Sequence, residues 1–313
     1  MTQFTKPATD TNQQIAHLRG QGIAIADEAR ARHYLRAIGY YRLSGYAYPF
    51  RLDPPPAAGP QYQAGTSFDE VLGRYVCDRE MRVHVMDAIE RIEVGVRTAI
   101  SNHMSVTYGP HWFTDPNRFL PAPVAGFNHA DFLTRVGREC SKSSEAFITH
   151  YLKTYTRPSL PPSWMIMETL SIGTISKLLD NLPRTDRTAV AATIRIDGGM
   201  RLSEKVLGSW LNSLTELRNT CAHHGRLLLR VFKITGVEPK AFKGSFWDPT
   251  SLYPRAVVLH LLLRALAPDS HWKDGVMHLF NRHPQTPPGL YGFPPDWQQR
   301  PEWQAAPFAW PAR

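Results

Sequence analysis

The sequence predicts an all-α protein, a helical bundle with elaborated loops and an N-terminal helical segment. Three observations predict it. Apolar residues recur at three- and four-residue steps over long stretches, the period of a helix face. Capping residues and glycines punctuate those stretches. Strand-like alternation is absent apart from a candidate hairpin at Arg230–Phe246. With 313 residues, 42% of them hydrophobic, the chain can bury a large core. No linker or internal repeat divides it, so residues 1–313 read as one domain.

Thr11–Gln21 is the first short helix, ended by Gly22. Asp27 can cap a second that carries Ala31, Tyr34, Leu35 and Ile38 and stops at Gly39. Gly39–Phe50 follows, reading GYYRLSGYAYPF, and completes the N-terminal segment 1–50. Its aromatics could stack on bases. The preferred reading is that Tyr40, Tyr41, Tyr46, Tyr48 and Phe50 clamp this segment onto the core, with rings buried and hydroxyls at the surface. Asp53–Gly65 is a Pro/Gly-rich loop. Thr66 or Ser67 can then cap a long helix reaching about His103, with a stripe through Phe68, Val71, Leu72, Ile89, Val96 and Ile100.

Pro110–Phe127 reads as a turn-rich loop. Two shorter helices are expected at His129–Cys140 and Ser144–Tyr155, with a break at Arg157–Pro162. Ser163–Leu182, Ser203–Leu229 and Tyr253–Ala267 are the later helices. The tail, 284–313, is rich in proline and tryptophan and reads as an irregular strap against the body.

The net charge of +9 and a pI near 9.6 favour polyanions: RNA, DNA or an anionic membrane. Cys77, Cys140 and Cys221 are too few and too scattered for a disulfide framework, and no CxxC pair suggests structural zinc. Met1–Gln14 is polar and lacks the apolar core of a leader peptide. The most apolar stretch, Ala256–Leu266, is too short for a bilayer, which needs about 20 residues. A cytoplasmic protein with no membrane partner is expected.

The chemistry concentrates in LTELRNTCAHHGRLLLR, Leu214–Arg230. At about 100° per residue on an ideal helix, Leu207, Trp210, Leu211, Leu214, Leu217 and Cys221 share the core side. Asn219, His223 and Arg226, at i, i+4 and i+7, form a polar row opposite. Gly225 permits a helix end or a close backbone approach. Arg218 lies nearer the apolar edge, roughly 140° from His223. A buried arginine needs an acidic or phosphate partner; Glu90 or Glu93 could serve. Helical geometry alone therefore unites Arg218 with His223 only if the arginine curls round or a partner helix meets the site edge-on. Histidine titrates near neutrality and can move a proton, arginine matches phosphate with a planar fork, and asparagine can orient either. Such a set suits attack of a ribose 2′-OH on its own phosphate without a metal. A surface histidine pair beside structural ion pairs is the plainer alternative.

Arg218–Leu227 resembles the RN-x-CAHH-x-RL signature of the Abi-2 (AbiD/AbiF-like) abortive-infection family of the HEPN superfamily. Tyr34–Phe50, Ala88–Ile100 and Pro161–Leu182 resemble further blocks of that family in the same order. The resemblance implies an all-α HEPN-type fold and a metal-independent endoribonuclease with Arg218 and His223 catalytic and no cofactor. Asn219, His224 and Arg226 are its supporting candidates; Glu93 and Arg97 pair with each other or brace the motif. It further implies a homodimer joining two Arg218/His223 pairs in one cleft. Its role would be phage defence, or toxicity in a toxin–antitoxin system held by an RNA or protein antitoxin. Leu229-Arg230 departs from the family's usual asparagine-bearing end. Two other functions compete: a non-catalytic RNA-binding module of such a complex, and a metal nuclease using Cys221, His223 and His224. The last is weakest, because His223 does not share a helix side with the other two.

Overall fold

In the computed structural model the chain is all-α, and the described residues are Gln3, Thr5, 7–53, 61–124, 126–196 and 200–304. It forms two compact units: Met1–Met81 with Met277–Leu290, and Arg82–Val276 with Tyr291–Arg313.

The first unit opens with α1 (Thr11–Gly20), where Asp10 and Gln13 cap each other's backbone N–H groups. In α2 (Glu28–Ile38) the Asp27 carboxylate accepts from the Arg30 N–H, and Gly39 ends the helix at φ 94°, a left-handed turn that favours glycine. Helix α3 (Tyr40–Ala47) carries the aromatic segment. Tyr46 is buried and its hydroxyl donates to the buried Asp78 at 2.8 Å, while the Arg74 guanidinium covers the Phe50 ring at 3.5 Å. The clamp is therefore partial. Tyr41 and Tyr48 stand 92% and 56% exposed, and the Tyr46 hydroxyl points inward to a carboxylate rather than to solvent. Of the loop expected at Asp53–Gly65, residues 54–60 lie outside the described ones. Ser67 rather than Thr66 caps the long helix α4 (Phe68–Tyr108). Its N–H reaches the Glu70 carboxylate at 2.8 Å, and its Oγ accepts from the Glu70 N–H.

The second unit holds the rest of α4 and then α5 (His129–Lys142), α6 (Ala146–Thr154), α7 (Ser163–Ile166), α8 (Ile172–Asp180) and α9 (Arg184–Thr193). The single helix expected over Ser163–Leu182 is broken. Leu170 turns extended, at φ −93° and ψ 143°, and Ser171 caps α8 through the Thr174 N–H. Arg97, paired with Glu93 on α4, donates to the freed Leu170 carbonyl. A side chain thus replaces the helical bond that continuity would supply. Two short strands that sequence periodicity does not reveal, β1 (Arg195–Ile196) and β2 (Met200–Arg201), pair antiparallel.

Helix α10 (Glu204–Ala222) packs against α8, α9 and α11 (Tyr253–Leu266). Leu207, Trp210, Leu211, Leu214 and Leu217 are fully buried on it, the stripe that the helical period predicts. Residues 230–246 form no hairpin. Their backbone groups pair with α10 side chains instead: Glu216 accepts from the Lys233 and Ile234 N–H groups, Ser209 accepts from Val237, and Trp210 donates to the Val237 carbonyl. Helix α12 (Trp272–Arg282), unforeseen in the sequence, buries Trp272, Val276 and Leu279 at i, i+4 and i+7. The tail, read as irregular, carries two short 3-10 turns (Pro288–Tyr291 and Trp297–Gln299) and the short α13 (Pro301–Gln304), and Trp297 and Trp303 are buried in the second unit; residues 305–313 lie outside the described ones. His260 of α11 lies flat on Trp303, centroids 4.9 Å apart, and burial pushes its pKa down to about 4. Among the described residues no helix is long and apolar enough to cross a membrane.

Candidate functional site

The site forms where α10 stops. The helical period runs on toward Leu229, but the helix ends at Ala222. His223 is the cap residue, and His224 takes the left-handed conformation at φ 56°. The His224 N–H reaches the Cys221 carbonyl at 3.0 Å and the Gly225 N–H reaches the Thr220 carbonyl at 2.7 Å. This is a Schellman closure, with histidine where glycine is usual. Leu229 is also left-handed, at φ 52°, so both non-glycine residues with positive φ among the described residues fall inside the motif segment. Such residues cost about 1–3 kcal/mol each and concentrate at functional sites.

Gly225 is needed for close approach. A Cβ there would stand 3.0 Å from both the carbonyl oxygen and Cγ2 of Thr220. The Gly225 carbonyl accepts from the buried Arg82 guanidinium at 3.4 Å, which ties the turn to α4. Beyond it, Leu227 and Leu228 are fully buried, anchoring the chain before it reaches Arg230.

The polar row changes accordingly. Asn219 and His223 remain one turn apart on the exposed side of α10, but Arg226, expected to extend the row, lies outside the helix and is half-buried. Arg230 takes its place. His223, Asn219, Gly225 and Arg230 line one open recess of about 440 Å³ together with Thr215 and Glu216. Among the described residues the side chains of Arg218, Asn219 and His223 hold no hydrogen bond or ion pair. Arg230 has none either: its guanidinium lies 5.5 Å above the Phe232 ring and its Nε is buried without a hydrogen-bond partner. Arg255 covers Phe232 at 4.2 Å and donates to the Pro249, Ser251 and Ile234 carbonyls. Burial lowers its pKa to about 10 against the opposing pull of Glu216 and Asp248. Arg255 takes the Ile234 carbonyl and Glu216 the Lys233 and Ile234 N–H groups, and this grip holds the segment that follows Arg230 beside the recess.

Arg218 is half-buried on α10 and lines neither this recess nor the one next to it, so a single chain does not seat it with His223 there. Glu93 and Arg97 pair with each other, and Arg97 also approaches Glu168 at 3.7 Å; they brace the α7–α8 junction. Cys221 is buried while His223 and His224 are exposed, so these three do not converge, and no cluster of three His, Cys, Asp or Glu among the described residues could hold a metal. Arg230 was legible only as a departure from the motif. Its role depends on Phe232 and Arg255, the latter 25 positions further along the chain.

A family model described as Abi-like protein matches residues 33–228. The chain belongs to the Abi-like protein family. Comparison with curated proteins and with solved structures yields no match. In this Abi-like protein the matched region begins within α2 and ends at Leu228, so it takes in the whole of α10 and its closing turn. Arg230 lies two residues beyond it.

Proposed function

We propose that this Abi-like protein is a metal-independent endoribonuclease acting in phage defence by abortive infection, or as the toxin of a toxin–antitoxin pair. The observation that supports this best is the closed end of α10: an exposed, unpartnered His223 beside Asn219 and Arg230, held by two left-handed residues. In this reading His223 takes the proton of a ribose 2′-OH, and the 2′-oxygen attacks the adjacent phosphorus. The bond from phosphorus to the 5′-oxygen breaks, leaving a 2′,3′-cyclic phosphate, and the 5′-oxygen leaves with a proton from a second acid. Arginine offsets the charge that builds on the phosphoryl oxygens. Arg218 lies off the His223 recess, which favours a homodimer in which a second copy supplies the missing arginine and acid.

The test is to incubate wild-type and His223→Ala protein with mixed cellular RNA in EDTA and map the ends. Cyclic-phosphate and 5′-hydroxyl ends from wild type alone support the reading. RNA binding by both proteins without any cleavage overturns it in favour of a non-catalytic RNA-binding module.

A further inference from the structure

A second recess, of about 420 Å³, adjoins the first within the same unit, and Thr215 and Asn219 line both. Its volume suits a small ligand. Its walls come from the start of α5, from α8 and from the polar side of α10. Asp180, the last residue of α8, lines it and is half-buried, and its side chain holds no hydrogen bond or ion pair among the described residues. Burial raises its pKa, with Arg187 opposing. Close approach brings α8 and α10 together here: a Cβ on Gly173, in the lining, would stand 3.1 Å from the Thr215 Cγ2, and one on Gly208, outside the lining, 2.5 Å from the Asp180 Oδ1. Asn212 and Asn219 add amides, Phe127 an aromatic edge, and Arg135 and Lys177 stand exposed and unpaired at the rim, with Asp131 one turn from Arg135. Apart from Thr215 and Asn219, which also line the His223 recess, none of these groups belongs to the cleavage site described above.

A carboxylate without a partner is an acceptor-only group with two oxygens side by side. It selects a ligand edge that presents two adjacent N–H donors. Among the four RNA bases only guanine does so, through its ring N1–H and exocyclic amine. Adenine and cytosine set one amine beside an acceptor nitrogen, and uracil sets one N–H between two carbonyls. Bases splayed out of a single strand are commonly read on this edge. Asn219 is one turn before His223, about 6 Å along the helix axis, so a base in this recess leaves its phosphate beside the histidine.

We infer that the recess between α5, α8 and α10 is a guanine-binding subsite, with Asp180 reading the base edge and Lys177 and Arg135 holding the strand. It rests on the nuclease reading for its part in cleavage but not for its ability to bind.

The experiment is calorimetric titration of the full chain with GMP, AMP, CMP and UMP, for wild type, Asp180→Asn, Asn212→Trp and His223→Ala. GMP is expected to bind wild type and His223→Ala at least about tenfold more tightly than the other three, a gap of roughly 1.4 kcal/mol. Asp180→Asn should lose that preference, and Asn212→Trp, at an exposed position, should lose binding by filling the recess. Equal affinity for all four nucleotides, or no binding of GMP to wild type, overturns the inference whatever the variants do. GMP preference without RNA cleavage would remove the nuclease reading and leave the subsite standing. Cleavage by a protein that shows no GMP preference would remove the subsite and leave the nuclease.

Discussion

The two ends of α10 treat their polar groups in opposite ways. At the start, the Ser203 hydroxyl accepts from the Val206 N–H, and the buried Glu204 carboxylate takes the Arg184 guanidinium at 2.9 Å. At the finish, no basic residue follows the helix dipole within the last turn, a histidine bears the left-handed turn, and His223 and Asn219 face open space unpartnered. The first end is built for stability, because a side-chain cap takes one of the free N–H groups of the helix terminus and the buried carboxylate has its counter-ion. The second accepts strain and leaves donors free, the arrangement of a surface that waits for a ligand.

The sharpest way to break this comparison is His223→Ala. RNA cleavage is expected to fall at least about 100-fold, with the melting temperature within a degree or two of wild type. A large fall in melting temperature would make His223 a structural residue like those at the other end. Gly225→Val comes next. Its side chain must displace the Thr220 backbone, at a cost of about 2–3 kcal/mol in urea unfolding. His224→Val and His224→Gly should differ by about 2 kcal/mol in favour of glycine, since only the left-handed backbone separates a β-branched residue from glycine there. Equal stabilities would remove the claim of strain.

At the other end, Ser203→Ala is expected to cost about 1 kcal/mol through the lost cap and to leave cleavage unchanged. Glu204 gives the smallest effect, and it depends on pH. Its own backbone N–H first, and then Arg184, hold its carboxyl below the ordinary value of 4.5. A lowered folded pKa means that the unfolded chain binds the proton more readily. The stabilisation is therefore complete above about pH 4.5 and is lost as pH falls through the folded value. Acid unfolding of Glu204→Gln should show a shallower decline over that window.

Much of the fold is legible from local rules. Asp27, Ser67 and Gly39 mark helix limits because a cap needs only its own neighbours. The stripe from Leu207 to Leu217 is legible for the same reason. What misled were segments whose backbone bonds are made by distant groups. Arg97 takes the Leu170 carbonyl and so divides a helix that periodicity would continue. Glu216 and Ser209 take N–H groups that a hairpin between 230 and 246 would have used. Within the aromatic segment, the pattern does not separate Tyr46, which finds Asp78 32 positions away, from the exposed Tyr41.

For the site, the sequence by itself determined that Asn219 and His223 share the polar side of a helix and that Gly225 leaves room for a helix end or a close backbone approach, because both follow from spacing and from the absence of a Cβ. Only the tertiary structure decided where that helix stops and what meets His223. Arg82 comes from α4 to hold the Gly225 carbonyl, and Phe232 and Arg255 aim Arg230 into the recess. Arg82 and Arg255 lie far from the motif along the chain, and a charged side chain such as Arg230 finds its orientation from the packed surface around it as well as from a near neighbour such as Phe232.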